Sequence, residues 1–171
     1  PGDTVGLRTH VLRTADHAFT TLTACRLHLL RKQPLEALLH ERPRLAAALF
    51  WSLAREEAVL VEHLVSLGRR SAHERLSHML CELGCRLVSR GLGQEGGFHC
   101  PAPQSVLADA LGLSVVHLNR TLRPMRESGL VEVGASGIDV PDLARLIEEA
   151  GFDPRFLGLF PGDGSLVDHM L

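Results

Sequence analysis

The hydrophobic positions between Pro43 and Gly68 recur at alternating spacings of four and three residues, the pattern of one long amphipathic helix. Pro43 suits the first turn of a helix and Gly68 suits its end, and no other proline or glycine interrupts the segment. We therefore predict a helix over residues 43–68, about 39 Å long at 1.5 Å per residue. Its apolar seam, interrupted once by a glutamate, consists of Ala46, Phe50, Leu53, Glu57, Leu60, Leu64 and Leu67.

A second apolar row on the same segment, formed by Leu49, Val61 and Val65, indicates that more than one face of this helix is covered. One hypothesis is that the helix is buried within a single subunit. We favour the alternative, in which it packs on its own chain and also on a second copy, because such a long seam exceeds what a small domain usually covers internally. The candidate contacts between the two copies are Phe50, Leu53, Leu60, Leu64 and Leu67.

A second helix is predicted to begin near Ser71, because the residues SAHE form a capping box between Ser71 and Glu74. It ends by Gly91, and one face is apolar through Leu76, Met79, Leu80, Leu83 and Leu87. The glycine-rich run GLGQEGG that follows is typical of a loop, and FHC before Pro101 predicts a short strand.

Two helices joined by a tight turn are predicted next. Residues from Gln104 to Ala110 form a short helix, GLS makes the turn, and Ser114 is the expected N-cap of a helix that runs to Glu127. The runs LVEV and IDV, joined by GASG, then have the pattern of a β-hairpin. A helix-turn-helix followed by a hairpin predicts a winged helix, in a chain that is mainly α with a small β component. The core face of the second helix consists of Leu118, Leu122 and Met125.

The segment from Pro1 to Leu30 has a different character, because it is rich in threonine and β-forming residues, as in AFTTLTACRLHLL. We expect short strands here, with turns at Pro1–Gly2–Asp3 and at Gly6. Two or three strands cannot bury both faces by themselves, so we expect them to be the last strands of a larger sheet whose earlier strands lie outside this sequence.

Positive charge is concentrated on the second helix of the helix-turn-helix, although the net charge of the chain is −2. A helix fits the major groove of B-DNA, where arginine can bond both acceptors of a guanine edge and asparagine can do the same on adenine. We predict base contacts by Arg120 and Asn119, phosphate contacts by Arg123 and Arg126, and weaker contacts near the helix start by Ser114 and His117. The alternative is that these arginines only solvate an exposed helix, but the preceding helix, the turn and the hairpin favour double-stranded DNA as the partner.

The span from about Leu67 to Leu157 resembles the C-terminal half of the bacterial Crp/Fnr-family transcription regulators, through LGRRSAHERLSHML and FHCPAPQSVLADALGLSVVHLNRTLRPMRESGLVEV. The long helix resembles the dimerisation helix of that family. PGDTVGL and FTTLTACRLHLL resemble the closing strands of its cyclic-nucleotide-binding-like β-roll. The resemblance implies the end of an effector β-roll at 1–42, a dimerisation helix at 43–68, a winged helix-turn-helix DNA-binding domain at 69–160 and a tail at 161–171.

By motif position, the base-contacting residues of the family correspond to Val115, Val116, Asn119 and Arg120. The resemblance implies a homodimer that places two recognition helices on a palindromic operator, with RNA polymerase as a further partner. A cytoplasmic location is expected because the sequence has no apolar run long enough for a membrane span and no apolar signal core near Pro1. Many members have a glutamate where this chain has Val116, which cannot accept a hydrogen bond from a cytosine amine but can contact a thymine methyl group. We therefore expect an operator that differs from the common one of the family.

Members that bind cyclic AMP carry a Gly-Glu pair and an arginine that hold the phosphate and the ribose. In the corresponding segment, VGLRTHVLRTADHA, Leu7 follows Gly6 and no arginine stands at the matching place near Ala15. The resemblance thus argues against cyclic AMP, and the sequence identifies no other effector or cofactor.

Other classes of function have little support in the sequence. No apolar run reaches the ~20 residues of a membrane span, and the ten histidines are scattered, with neither HExxH nor GxSxG to indicate an enzyme. Cys81 and Cys85 lie one helical turn apart; a shared metal is one interpretation, but we favour two small packed hydrophobic residues and predict no metal site. The alternative function is a winged helix that binds protein instead of DNA, because the segment PDLARLIEEAGFD is acidic.

Overall fold

The computed structural model describes residues 3–12, 18–93 and 96–159 of the chain. These residues divide into two compact units, residues 3–58 and Val59–Leu159, with the boundary inside a long helix. The elements in chain order are α1 (Leu7–Leu12), α2 (Lys32–Glu41), α3 (Pro43–Arg69), α4 (Ala72–Val88), β1 (Phe98–Cys100), α5 (Gln104–Leu111), α6 (Val115–Glu127), β2 (Glu132–Gly134), β3 (Gly137–Val140), α7 (Leu143–Ala150) and a final 3-10 helix (Pro154–Leu157).

The strands predicted before Leu30 are not present in the described residues of that segment, so this prediction was wrong. Leu7–Leu12 is a helix, and residues 18–31 form no regular element. A strand requires a hydrogen-bonded neighbour, and residues 3–12 and 18–58 contain no second strand that could pair with it. β-forming residues alone therefore do not produce a strand here. The turn predicted at Pro1–Gly2 lies outside the described residues.

Helix α3 confirms the long helix predicted from the apolar repeat, and it extends one residue past Gly68. None of its residues is buried. In the predicted seam, Leu60 is 58% exposed and Leu64 is 69% exposed, and Phe50 and Leu67 are also exposed. Leu53 is half-buried. The seam is therefore an apolar surface that other parts of the described chain leave largely uncovered.

In the unit formed by residues 3–58, polar contacts join the first described residues to α3. The Arg55 guanidinium lies 2.7 Å from the Asp3 carboxylate and 5.3 Å from the centre of the Trp51 ring. Thr4 and Ser52 share a hydrogen bond of 3.0 Å. Helix α2, which the sequence analysis does not predict, belongs to the same unit and buries a single residue, Leu35.

The core of the unit Val59–Leu159 forms where α4 packs against α6, α7 and β1. Helix α4 begins with the predicted capping box, in which the Ser71 hydroxyl accepts from the Glu74 amide and the Glu74 carboxylate accepts from the Ser71 amide. Cys81 is fully buried in this core and Cys85 packs against it, which confirms their interpretation as packed hydrophobic residues. Burial raises the pKa of Cys81 to about 12, so its sulfur stays a thiol.

The three strands form one antiparallel sheet in the order β1-β3-β2. Phe98 pairs with Val140 across β1 and β3, and Val133 pairs with Ile138 across β2 and β3. This confirms both the short strand FHC and the hairpin. Helix α7, which follows the hairpin, packs on α4 and was not predicted as a separate helix.

A buried carboxylate links α3 to α4 within the same unit. The Glu82 side chain is only 6% exposed, and it accepts hydrogen bonds from His63 at 2.6 Å and from Arg86 at 2.9 Å. Burial by itself would raise the pKa of Glu82, but these two hydrogen bonds outweigh burial and lower it. The same hydrogen bond to Glu82 raises the pKa of His63 above its ordinary value, despite partial burial.

We predict that His63 makes the stability of this unit depend on pH. Because the pKa of His63 is raised in the folded state, its contribution is fully present below the unfolded pKa of about 6.5 and is lost as pH rises through the folded pKa. The excess stability of the wild type over His63→Gln should therefore be largest in acid. Urea unfolding between about pH 5.5 and 8.5 measures it.

The comparison with His63→Gln is needed because His78 acts in the opposite direction. Burial and Arg70 lower the pKa of His78, so protonation of His78 favours the unfolded chain and the folded state becomes less stable as pH falls. His73→Gln, at an exposed position of α4, is the matched control and should change neither stability nor its pH profile. A stability difference between wild type and His63→Gln that is constant with pH would contradict the prediction.

Candidate nucleic-acid interface

The turn between α5 and α6 is held by backbone and side-chain hydrogen bonds. Gly112 ends α5 in the left-handed conformation (φ 65°), which a glycine adopts without the steric cost of a side chain. The Arg75 guanidinium donates to the Leu111 carbonyl at 2.8 Å. Ser114 is the N-cap of α6, as predicted, since its hydroxyl accepts from the His117 amide. These interactions hold α6 in a fixed direction relative to α5.

The inner face of α6 is anchored in the core. Leu118, Leu122 and Met125 are almost fully buried, which confirms the predicted core face of this helix. Thr121 is also buried, although its polar side chain gives no sign of this in the sequence. Its hydroxyl donates to the His117 carbonyl at 3.0 Å, and this local bond allows a polar side chain to lie on the inner face.

The outer face of α6 carries most of the predicted site residues together. Val116 is 77% exposed, and the structure also places on this exposed surface Ser114, Val115, Asn119, Arg120, Arg123 and Arg126. His117 is half-buried at the edge of the same face. The eight predicted residues therefore form one continuous surface rather than scattered positions.

The three arginines of this face differ in their partners. Arg123 donates to Glu127 at 2.9 Å, one helical turn farther along, so a carboxylate of its own helix partly neutralises its charge. Arg120 and Arg126 form no ion pair with any residue that the structure describes. The outer face therefore presents two positive charges that an anionic partner can neutralise.

Asn119 is exposed, but its amide has partners within the chain. The Nδ2 group donates to Oε1 of Gln104 at 2.8 Å and to the Val115 carbonyl at 3.0 Å. Gln104 is the first residue of α5 and was not among the predicted site residues. No spacing rule for a single helix would have identified it, because the contact crosses the turn between two helices.

The wing lies beside the C-terminal end of α6. An open groove between them is lined by Arg123, Arg126, Glu127, Val131, Glu132 and Val133. The turn of the wing, residues 135–136, is exposed. Helix α6 and the wing thus form adjacent parts of one surface, with positive charge on the helix.

This arrangement defines a winged helix-turn-helix domain. Residues 74–149 match the family model of the Crp-like helix-turn-helix domain. These residues therefore belong to the Crp-like helix-turn-helix family, and the resemblance of the chain to Crp/Fnr regulators is confirmed.

Relatives of known name extend the similarity beyond this domain. The chain is 27% identical over 145 residues to the transcriptional activator protein FnrL of Cereibacter sphaeroides, covering 82% of this chain and 58% of the relative. It is 30% identical over 148 residues to the nitrogen fixation regulation protein FixK of Bradyrhizobium diazoefficiens, covering 85% of this chain and 60% of the relative. Both relatives are named as regulatory proteins, and FnrL is named a transcriptional activator.

The fold is also similar to that of a solved structure of a protein with a related name. FixK2 from Bradyrhizobium japonicum superposes with a TM-score of 0.58 at 26% identity, covering 70% of this chain and 58% of that one. The chain thus spans about three fifths of the length of the proteins that it resembles. Among the helices of the described residues, none is long and apolar enough to cross a membrane.

We predict that the wing depends on Gly137, which has a positive φ of 148°. A Cβ at this position would overlap the carbonyl oxygen of Cys100, so β3 could not keep its place beside β1. Gly137→Ala should lower the free energy of unfolding by more than about 1 kcal/mol, and it should perturb the wing. Gly134→Ala is the control, because a Cβ there meets nothing within 4 Å. Equal stability of the two variants, measured by urea unfolding, would contradict this account.

Proposed function

We propose that this chain is a sequence-specific, DNA-binding transcription regulator of the Crp/Fnr type that acts as a dimer on a palindromic operator. The observation that carries the proposal is the two-sided character of α6. Its inner face is buried, and its outer face presents Arg120 and Arg126 without a carboxylate partner among the described residues. A positively charged helix on a rigid support suits the major groove of double-stranded DNA.

Within this proposal the outer face divides into base and phosphate contacts. Arg120 lies near the middle of α6 and bonds a guanine edge, while Asn119 faces a neighbouring base. Arg126 lies nearer the C-terminal end and contacts a phosphate, and Arg123 does so after exchanging Glu127 for the DNA backbone. Ser114 and His117 lie at the start of the helix as additional contacts. Val115 and Val116 are exposed apolar groups, which suit thymine methyl groups.

The dimer is proposed from the exposed seam of α3. A row of large apolar side chains in contact with water is unfavourable, and pairing with the same row of a second copy would bury it. The seam contacts are Phe50, Leu53, Leu60, Leu64 and Leu67. Pairing of identical helices about a two-fold axis relates the two recognition helices by the same axis, so the operator is palindromic.

Regulation is proposed by analogy with the relatives. FnrL is named a transcriptional activator, so we include RNA polymerase as a partner of the DNA-bound dimer. A signal that shifts the paired α3 helices would change the separation of the two recognition helices and hence the fit to two half-sites. No metabolite is assigned as that signal.

We predict that Arg120 and Arg126 have different effects on DNA binding. Arg120→Ala should weaken binding to the operator by ~1–3 kcal/mol and change binding to scrambled duplex much less, because the lost bonds are to base edges. Arg126→Ala should weaken binding to all sequences alike and reduce the salt slope by about one unit per half-site. Titrations of operator and scrambled duplex at several salt concentrations measure both effects.

Arg155→Ala is the control for this experiment, because it removes an exposed arginine that is paired with Asp153 in the final 3-10 helix. It should leave both duplex affinities unchanged. An unchanged ratio of operator affinity to scrambled-duplex affinity in Arg120→Ala would show that Arg120 does not contact a base. If neither α6 variant altered DNA binding, the charges would only solvate the helix, and a protein partner would be favoured.

We predict that Leu60→Lys/Leu64→Lys gives monomers. Both side chains are exposed in the single chain, so lysine is tolerated there, but pairing would bury four positive charges against one another in the dimer. Sedimentation at micromolar concentration measures the change. Val65→Lys, at an exposed apolar position of α3 outside the seam, should leave the dimer intact. A double variant that remained dimeric would show that the seam is not the interface.

A further inference from the structure

Two hydrogen bonds determine the orientation of the Asn119 amide, that is, which of its two terminal atoms is the nitrogen. A main-chain carbonyl can only accept, so the Asn119 atom that lies 3.0 Å from the Val115 carbonyl oxygen is the nitrogen Nδ2. The same nitrogen lies 2.8 Å from the Gln104 side chain, whose contacting atom must therefore be its acceptor, Oε1. One carbonyl thus fixes the orientation of both amides.

These two bonds use both hydrogens of the Asn119 amide. An asparagine amide has two N–H donors and one carbonyl acceptor, so only Oδ1 is left for a partner outside the chain. The usual contact of asparagine with adenine needs both functions, because Nδ2 donates to N7 while Oδ1 accepts from the N6 amine. In the orientation that Gln104 and Val115 hold, Asn119 cannot make the first of these bonds.

We infer that Gln104 is a positioning residue that makes Asn119 a single hydrogen-bond acceptor, so that Asn119 selects a base with an amine in the major groove. This inference rests on the proposed function, which it makes more specific. The amines available in the major groove are N6 of adenine and N4 of cytosine. Guanine and thymine present acceptors at the corresponding places, which Oδ1 would repel.

The contact between Gln104 and Asn119 crosses the helix-turn-helix. Gln104 is the first residue of α5, and Asn119 lies within α6, 15 residues farther along the chain. Ser114, Gly112 and Arg75 hold the turn between these helices, and across it the two amides lie in hydrogen-bond contact. Rotation of the Asn119 amide into the bidentate orientation would break its bond to Gln104.

The experiment uses the chain with duplex DNA. Selection from a random duplex pool defines the preferred half-site, and the base position whose preference disappears in Asn119→Ala is the Asn119 contact. We expect adenine or cytosine at this position. Affinity is then measured for duplexes that carry a base analogue at this position in both half-sites.

The base analogues distinguish a hydrogen bond to the exocyclic amine from a hydrogen bond to N7. If the base is adenine, 7-deazaadenine keeps the N6 amine and lacks N7, whereas unsubstituted purine keeps N7 and lacks the amine. Per half-site, we expect less than about a twofold loss for 7-deazaadenine and about a five- to tenfold loss for purine, the effect of one hydrogen bond. If the base is cytosine, 2-pyrimidinone lacks the N4 amine and should give the same loss as purine. Asn119→Ala, measured with the same duplexes, corrects for altered base pairing.

Variants of Gln104 test its positioning role separately. Gln104→Ala frees one N–H of Asn119, so the amide can turn and bond adenine through both functions. This variant should gain a preference for adenine over cytosine, and it should become sensitive to 7-deazaadenine. Gln104→Glu retains an acceptor for Nδ2 and should keep the wild-type pattern, with a lower affinity for every duplex because of the added negative charge. Ser105→Ala, at the adjacent exposed position of α5, is the control and should change nothing.

Several results would overturn the inference. They are a selected guanine or thymine at the Asn119 position, equal losses for 7-deazaadenine and purine in the wild type, no position that responds to Asn119→Ala, and an unchanged pattern in Gln104→Ala. Each of these leaves the proposed function intact, because the chain still binds a selected sequence. Failure to select any sequence would overturn the proposed function and this inference together.

Discussion

Burial of one face of α6 is the interaction on which the rest of the domain depends. Leu118, Leu122 and Met125 fill the space between α6 and the remaining core, and removing any of them would cost about 2–5 kcal/mol. Because these side chains recur every three or four residues, the opposite face must point outward along the whole helix. The same spacing that stabilises the fold therefore also determines which residues can meet DNA.

For DNA binding, the distribution of charged residues on the surface matters more than the net charge of the chain. A net charge of −2 gives no indication of a nucleic-acid partner. Yet α6 has no acidic residue before Glu127, while Glu148 and Glu149 lie on α7. Glu149 is paired with Arg145 of its own helix at 2.8 Å, which partly neutralises its charge. A mildly acidic protein can therefore present a positive surface to a phosphate backbone.

The sequence predicts well those features that depend on neighbouring residues along one helix. The capping box at Ser71, the N-cap at Ser114 and the hairpin all follow from local signals, and the structure confirms them. The predicted strands before Leu30 failed because strand formation requires a partner elsewhere in the chain. The contact of Gln104 with Asn119 was missed for a related reason, since it depends on how two helices are placed across a turn.

The two proposed base contacts differ in what they cost on binding. Arg120 has no ion-pair partner among the described residues, so its long side chain must lose rotamer freedom, a cost of up to about 2 kcal/mol, before it forms two bonds to guanine. Asn119 is short and already held by Gln104 and Val115, so it forms a single bond with little loss of freedom. The first contact supplies more energy, whereas the second is weaker but excludes bases that lack an amine. A recognition helix that combines a mobile donor with a fixed acceptor can therefore gain affinity and selectivity from different residues.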